Sequence, residues 1–152
     1  MDTWFKPVKK LILTRLFPLL PWKLTKRKTN LGVTQATYDW YNKKHNIEQK
    51  DVKNITKEEA TKIYYDYYWK DSGASKIKDK KLALMYFDSA VNHGPYYAKK
   101  YYKLSNGDFD KFMELRKEHY DNMANKSETQ RKNHKGWMNR LNNLKKFVDE
   151  NY

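Results

Sequence analysis

Apolar residues recur at intervals of three and four positions through most of the chain after residue 34, which is the spacing of a helix with one buried face. The most apolar segment runs from Lys80 to Asn92, and Gly94 and Pro95 follow it as a helix stop signal. We therefore expect a central buried helix there. No segment shows the alternation of a half-buried strand, so the pattern predicts an all-α protein.

Capping residues place the other helices. Thr34 precedes one helix, and Thr56 with Glu59 forms the Thr-x-x-Glu pattern of a capping box before the next. On the first helix we expect Tyr38, Trp40 and Tyr41 to be buried. The predicted helices besides the central one cover residues 35–44, 56–69, 96–103, 108–124 and 127–148.

Residues 1–28 differ from the rest of the chain. They carry eight basic residues and a single acidic one, Asp2, and two prolines interrupt their apolar runs. A signal peptide would have an uninterrupted apolar core and small residues at its cleavage site, and neither is present. Three interpretations stay open: a basic-apolar arm that contacts a membrane surface, a packed helix from Trp4 to Phe17, or a segment from a wrong reading frame or an upstream fusion.

The composition favours an anionic partner. The chain of 152 residues has a formal net charge of +14, which favours cell-wall polymers, nucleic acid or a membrane surface. Aromatic residues make up 16% of the sequence and offset the low apolar content, since each ring buries a large area. The chain has no cysteine, which excludes a disulfide framework and thiol chemistry.

Four short motifs resemble those of one enzyme family and occur in the family's order. They are TNLGVT at residues 29–34, NITKEEA at 54–60, FDSAVNHGP at 87–95 and KGWMNR at 135–140. They are similar to the T-N-x-G-I/V-T, L-T-x-E-x-A, F-D-x-A-V-N-x-G and G-W-x-N-R segments of glycoside hydrolase family 108, the muramidases of bacteria and phages. The resemblance implies a small lysozyme-like helical domain at residues 29–104, a helical peptidoglycan-binding-like region at 105–152, and an atypical segment at 1–28.

The resemblance also shows what the chain lacks. Glycoside hydrolysis needs a general acid and usually a second carboxylate, and in this family the acid is a Glu upstream of the Thr-Asn motif. Here no Asp or Glu occurs between Asp2 and Asp39. Of the family's catalytic segment only the last block, residues 29–34, has a match, and the hydroxyl group of Thr29, the matching catalytic-segment residue, cannot replace the acid.

By the same resemblance, several residues are candidates for binding a glycan. Asp88 and Asn92 lie four positions apart on one helix face, where they either line a sugar cleft or brace the fold. The aromatic candidates either stack on sugars or pack in the core, and the helix of Trp137 and Arg140 either binds the wall or packs inward. The candidate substrate-binding residues are Asn30, Trp69, Asp88, Asn92, Tyr97, Trp137 and Arg140.

The functional hypothesis is a peptidoglycan hydrolase family member that is truncated or frameshifted and inactive as written. The alternatives are a non-enzymatic wall-binding protein and a basic nucleic-acid-binding protein, although the lysines are spread over most helices and no nucleic-acid motif occurs. The four histidines lack metal-ligand spacing, and we expect neither a metal nor a cofactor. We expect a monomer that is cytoplasmic until it is released to the cell wall or periplasm.

Overall fold

The computed structural model describes residues 5–16 and 29–152, and nearly all of its regular structure is helical, which confirms the all-α class. The strands in these residues are β1 (Thr29–Asn30) and β2 (Val33–Thr34), which form a small antiparallel hairpin. The sequence pattern did not predict this hairpin, because strands of two residues are too short to show an alternating pattern.

The chain forms two compact units, the first ending at Tyr67 and the second running from Tyr68 to Tyr152. We refer to them as the N-terminal and C-terminal units. The helices of the N-terminal unit are α1 (Phe5–Leu11) with a π-helical continuation (Ile12–Leu16), α2 (Gln35–Lys44), a 3-10 turn (Val52–Asn54) and α3 (Lys57–Ile63). The predicted boundaries at residues 28 and 104 stay a prediction.

Helix α1 buries its apolar face. Phe5, Val8 and Leu11 lie on this face and are buried, as is Ile12 in the π-helical turn that follows. The ring of Phe5 meets the ring of Tyr65 edge-on, with centroids 4.7 Å apart. A packed helix is therefore present within residues 5–16, whereas Trp4 and Phe17 lie outside the described residues. The membrane-contacting arm and the origin of residues 1–28 stay predictions.

Helix α2 has the predicted bounds and the predicted cap, since the Thr34 side chain accepts a hydrogen bond from the Thr37 backbone N–H. Tyr38 and Tyr41 are buried as predicted, but the prediction for Trp40 was wrong, because its side chain is 44% exposed. Residues three and four apart share a helix face, so a face that buries Tyr38, Tyr41 and Asn42 turns Trp40 to the other side.

Helix α3 begins with the predicted capping box. Glu59 donates its backbone N–H to the Thr56 hydroxyl at 3.1 Å, and the Glu59 carboxylate accepts the Thr56 backbone N–H at 3.1 Å. The helix then widens into a π-helix at Tyr64–Asp71. The predicted helix of residues 56–69 is therefore present, but with an uneven hydrogen-bonding register.

The C-terminal unit is built around α4 (Lys80–His93). All nine residues from Leu82 to Ala90 are buried, and α4 packs against α5, α6 and α8. Gly94 ends α4 at the predicted position, with φ +98° and ψ 155°, a positive-φ conformation that favours glycine. The other helices of this unit are a 3-10 turn (Ala74–Lys76), α5 (Pro95–Ser105), α6 (Phe109–Lys126), α7 (Glu128–Arg131) and α8 (His134–Asn151).

The predicted single C-terminal helix is two helices in the structure. Ser127 caps a single turn, α7, and the Asn133 backbone N–H then bonds to the carbonyl of Gln130 at 3.0 Å, which closes that turn. Helix α8 starts afresh at His134 and buries Leu141, Leu144, Phe147 and Val148. No helix within the described residues is long and apolar enough to cross a bilayer.

Candidate functional site

The family-like Thr-Asn motif lies on the hairpin of the N-terminal unit. Thr29 is half-buried and pairs with Thr34, and the turn residues Leu31 and Gly32 both have positive φ, at 51° and 77°. Positive φ at both central positions is typical of the tight hairpin turn whose twist matches its strands. The Tyr64 hydroxyl donates a 2.6 Å hydrogen bond to the carbonyl of Leu31, which fixes the turn.

Asn30 connects this hairpin to the 3-10 turn that follows α2. Its side-chain amide donates to the carbonyl of Lys53 at 3.0 Å and to that of Val52 at 3.3 Å. Gln35 reinforces the same junction, because its side chain accepts the Val52 backbone N–H at 2.8 Å and donates to the Lys50 carbonyl at 2.9 Å. The contacts of Asn30 are therefore those of a residue that orders the hairpin.

Two carboxylates of the N-terminal unit, those of Glu59 and Asp66, make contacts within the fold. Glu59 accepts the hydroxyl proton of Tyr38 at 2.7 Å and lies 3.6 Å from the Lys50 ammonium group. Asp66 accepts the Tyr41 hydroxyl at 2.8 Å. Each of these two acids thus already has a tyrosine donor.

The pKa of Glu59 is lowered, whereas a general acid needs a raised pKa. Burial alone raises it, but the hydrogen bonds from Tyr38 and Thr56, with the charge of Lys50, bring the pKa of Glu59 below its ordinary value. A glycosidase acid instead has its pKa raised by an apolar pocket, so that it carries a proton at neutral pH. Glu59 therefore lacks the electrostatic environment of such an acid.

The C-terminal unit contains a buried charged cluster centred on Asp88. The side chain of Asp88 is 1% exposed, and its carboxylate lies 2.8 Å from the Arg116 Nη1 atom and 2.9 Å from the Arg140 Nη2 atom. Burial raises the pKa of Asp88, but the two guanidinium groups outweigh burial and hold the pKa below its ordinary value. Asp88 thus stays ionised and joins α4 to α6 and α8.

Arg116 extends this cluster to two rings. It is fully buried, and it donates through Nε to His93 Nε2 at 3.1 Å and through Nη2 to the Tyr120 hydroxyl at 3.4 Å. Burial, and then the charge of Arg116, lower the pKa of His93 to about 2. His93 is therefore neutral at physiological pH, with Nε2 as an acceptor.

Two further candidates join the same cluster through Tyr120. The Asn92 side-chain amide donates to the Tyr120 hydroxyl, and the Trp137 ring stacks on the Tyr120 ring with centroids 5.1 Å apart and planes 16° apart. The structure therefore brings together Asp88, Asn92, Trp137 and Arg140, four of the residues predicted from sequence.

Trp69 and Tyr97 lie elsewhere in the C-terminal unit. Trp69 is 1% exposed and meets the Phe87 ring edge-on at 6.0 Å. Tyr97 is 36% exposed and lies with its ring edge-on to His119, with centroids 4.7 Å apart. Whether these two residues contact a glycan stays a prediction, as it does for the other candidates.

Tyr97 lines an open groove between α5 and α6 with a volume of about 550 Å³. Lys100 and Lys126 line the same groove, and Tyr101 donates to or accepts from His119 Nδ1 at 2.6 Å. Burial, with the positive charges of Arg116, Lys126 and Lys100, lowers the pKa of His119. The groove therefore has aromatic walls and is lined by two lysines and one acid, Glu118.

The sequence did not single out Arg116 and Tyr120, which organise the buried cluster. Both lie on α6 with Phe112, and the spacing of 112, 116 and 120 is a helix face. An arginine on an otherwise apolar face was the available signal, because a buried arginine requires an acidic partner. Tyr67, one of the rings predicted to stack on sugars or pack in the core, lines a second open cavity with Trp40, which was predicted to be buried and so was not identified as a surface ring.

Within the described residues, no group of three His, Cys, Asp or Glu side chains is close enough to hold a metal ion. This finding concerns residues 5–16 and 29–152 alone.

Comparison with known proteins adds one assignment. Residues 27–94 match the family model described as Glycosyl hydrolase 108, and the match includes the hairpin, the capping box of α3 and all of α4. No curated protein and no solved structure matches the chain. Residues 27–94 are therefore similar to the glycosyl hydrolase 108 family, which supports the resemblance carried by the sequence motifs.

Proposed function

We propose that this chain is a peptidoglycan-binding member of the glycosyl hydrolase 108 family and that, as written, it does not hydrolyse the glycan. The family match supports peptidoglycan as the substrate class. We also propose that the protein is of phage origin, is related to endolysins and acts at the cell wall.

One observation supports the proposed inactivity. The chain has no Asp or Glu between Asp2 and Asp39, and the family's acid would lie in this stretch, before the hairpin. Three acids that follow the hairpin support it, since the partners of Glu59 and Asp88 lower their pKa values and Asp66 accepts a hydrogen bond from the Tyr41 hydroxyl. Loss of a general acid typically lowers a rate by about 10²–10⁴-fold. The hydrogen-bonded hairpin would then remain as a scaffold without its acid.

Wall binding is supported by charge and by exposed rings. The groove of Tyr97 presents Lys100 and Lys126 beside its rings, and peptidoglycan offers both sugar faces and the carboxylates of its stem peptides. Exposed charges are screened over about 8–10 Å at physiological salt, so we expect the binding to weaken as salt rises. We further propose that the protein acts as a monomer and reaches the wall after its release from the cytoplasm.

The decisive activity test is a turbidity assay on purified peptidoglycan sacculi. The unmodified chain should give no measurable clearing. A chimaera in which a family-type segment with Glu-Gly-Gly-Tyr and Asp-Pro-Gly-Gly replaces residues 1–28 should clear the suspension, and changing its new Glu to Gln should abolish clearing. Clearing by the unmodified chain would contradict the proposal, and Asp88→Asn and Thr29→Ala would then identify the groups responsible.

Two companion measurements test binding and origin. Sedimentation with sacculi at low and high salt should retain the chain only at low salt, and equal retention by duplex DNA would favour a nucleic-acid partner instead. The DNA around codons 1–40 distinguishes the origins of residues 1–28, because a frameshift predicts that another frame encodes the family's Glu-Gly-Gly and Asp-Pro-Gly-Gly segment.

A further inference from the structure

We propose that Trp40 and Tyr67 form a stacking platform for one N-acetylhexosamine ring of a glycan strand. This inference rests on the proposed function, because it names a binding subsite for the same polymer. Both residues belong to the N-terminal unit and to the segment that matches the glycosyl hydrolase 108 family.

The first observation is the exposure of a large ring. The side chain of Trp40 is 44% exposed, although an indole is among the largest apolar groups that a protein can bury. Its position is set by α2, whose buried face holds Tyr38 and Tyr41. The fold therefore keeps the ring of Trp40 at the surface, where a ligand can contact it without a change in the backbone.

The second observation is the arrangement around this ring. Tyr67 contacts Trp40 with ring centroids 5.3 Å apart and planes 62° apart, and both rings line an open cavity of about 380 Å³. Small-ligand sites typically have volumes of about 300–1,000 Å³. Two rings at a steep angle give the cavity a floor and a wall, which fits the shape of a six-membered ring.

The third observation is the polar rim. Thr37 lines the cavity, and its hydroxyl oxygen accepts a hydrogen bond from the Thr34 hydroxyl at 3.0 Å. A hydroxyl that accepts one bond still has its own proton to donate, here to a sugar hydroxyl or acetamide oxygen. The Lys44 ammonium group lies 5.1 Å from the centroid of the Trp40 ring, where it can meet an anionic substituent of the glycan.

A sugar ring is the occupant that this chemistry fits. One face of a pyranose presents C–H groups, which carry partial positive charge, and the face of an indole is negative, so the two attract when stacked. The hydroxyl and acetamide groups at the sugar's edge need donors and acceptors, which Thr37 and Lys44 supply.

The test compares Trp40→Ala with Tyr96→Ala in the full chain. Tyr96 is a matched control because its ring is 71% exposed and lies in the C-terminal unit. Two readouts are taken: isothermal titration calorimetry with a soluble N-acetylglucosamine tetramer, which needs no tryptophan signal, and sedimentation with sacculi. Circular dichroism and thermal melting check that both variants fold, which we expect because both rings are exposed.

We expect the tetramer to bind the unmodified chain and Tyr96→Ala with the same affinity. For Trp40→Ala we expect affinity about fivefold to tenfold weaker, the factor that corresponds to losing one ring contact of this kind. Trp40→Phe should recover part of the affinity, because a smaller ring still offers a stacking face.

The two readouts separate the failure of this inference from that of the proposed function. If sacculi retain the chain but Trp40→Ala binds both ligands as well as Tyr96→Ala does, the platform is wrong and wall binding stands. If Trp40 is needed for the tetramer but sacculi do not retain the chain, the platform stands and wall binding is wrong. Binding of neither ligand by the unmodified chain would overturn both.

Discussion

Acidic groups are used differently in the two units of this protein. In the N-terminal unit, Glu59 is part-buried and is held by a helix cap, a tyrosine hydroxyl and a lysine. In the C-terminal unit, Asp88 is fully buried between Arg116 and Arg140. In the N-terminal unit, Glu59 therefore links the start of α3 to α2, whereas in the C-terminal unit a single ion cluster joins three long helices.

The candidate binding residues also fall into two groups, those bonded within the protein and those exposed at its surface. Four of the sequence-predicted binding residues meet at the Asp88 cluster, where charge and aromatic contacts are satisfied within the protein. The exposed rings and lysines lie instead at the α5–α6 groove and at the cavity of Trp40. We therefore expect substitutions in the cluster to alter stability, and substitutions at the exposed rings to alter binding.

The largest effect should follow from breaking the buried cluster. Arg116→Met removes one of the two cations that offset the Asp88 charge, and loss of one partner from a buried pair costs about 3–5 kcal/mol of unfolding free energy. Urea denaturation followed by circular dichroism measures the change. The matched variant Glu59→Gln, in the N-terminal unit, should cost far less, and equal losses in the two variants would remove the distinction between the units.

A pH titration should produce the next largest effect. The pKa of His93 is about 2 in the folded protein, against about 6.5 in an unfolded chain, so unfolding takes up a proton below pH 6.5. The contribution of His93 to stability is complete above pH 6.5 and is lost as pH falls below it. Between pH 7 and 5 the unfolding free energy should fall by about 2 kcal/mol from this residue, as the linkage relation requires.

His119 should add to this loss in the same direction, because its pKa is also lowered. Asp88 does not contribute in this window, since its stabilisation is lost only below the pKa of about 4 of an unfolded aspartate. Denaturation midpoints measured at pH 7, 6 and 5 check the slope. His93→Gln should flatten it by close to one proton, and an unchanged slope in that variant would show that His93 does not titrate as described.

The smallest effect is expected in the N-terminal unit. Tyr38→Phe removes the donor to Glu59 and leaves the ring in place, so it should lower the unfolding free energy by about 0.5–1.5 kcal/mol, the usual contribution of one hydrogen bond. The same variant should raise the pKa of Glu59, because that hydrogen bond is one of the causes that lower it. NMR titration of the carboxyl carbon of Glu59 measures the shift. A pKa that does not rise would show that the hydrogen bonds from Thr56, rather than the one from Tyr38, lower the pKa of Glu59.

Much of the local structure was predictable because its causes are local. The bounds of α2, the capping box of Thr56 and Glu59, and the stop at Gly94 each follow from residues within one or two turns. The hairpin at residues 29–34 was recognised as a motif but not as paired strands. Two-residue strands are fixed by their turn and by the distant Tyr64 hydroxyl, which periodicity cannot show.

The sequence by itself determined the helical class, the central apolar helix and the family motifs, because periodicity and short motifs are properties of neighbouring residues. Only the tertiary structure decided that Asp88 is bound by Arg116 and Arg140, 28 and 52 positions along the chain, and that Trp40 faces outward. The physical reason is that an ion pair across helices depends on how α4, α6 and α8 pack. Likewise, the exposure of a ring depends on which face of its helix the core covers.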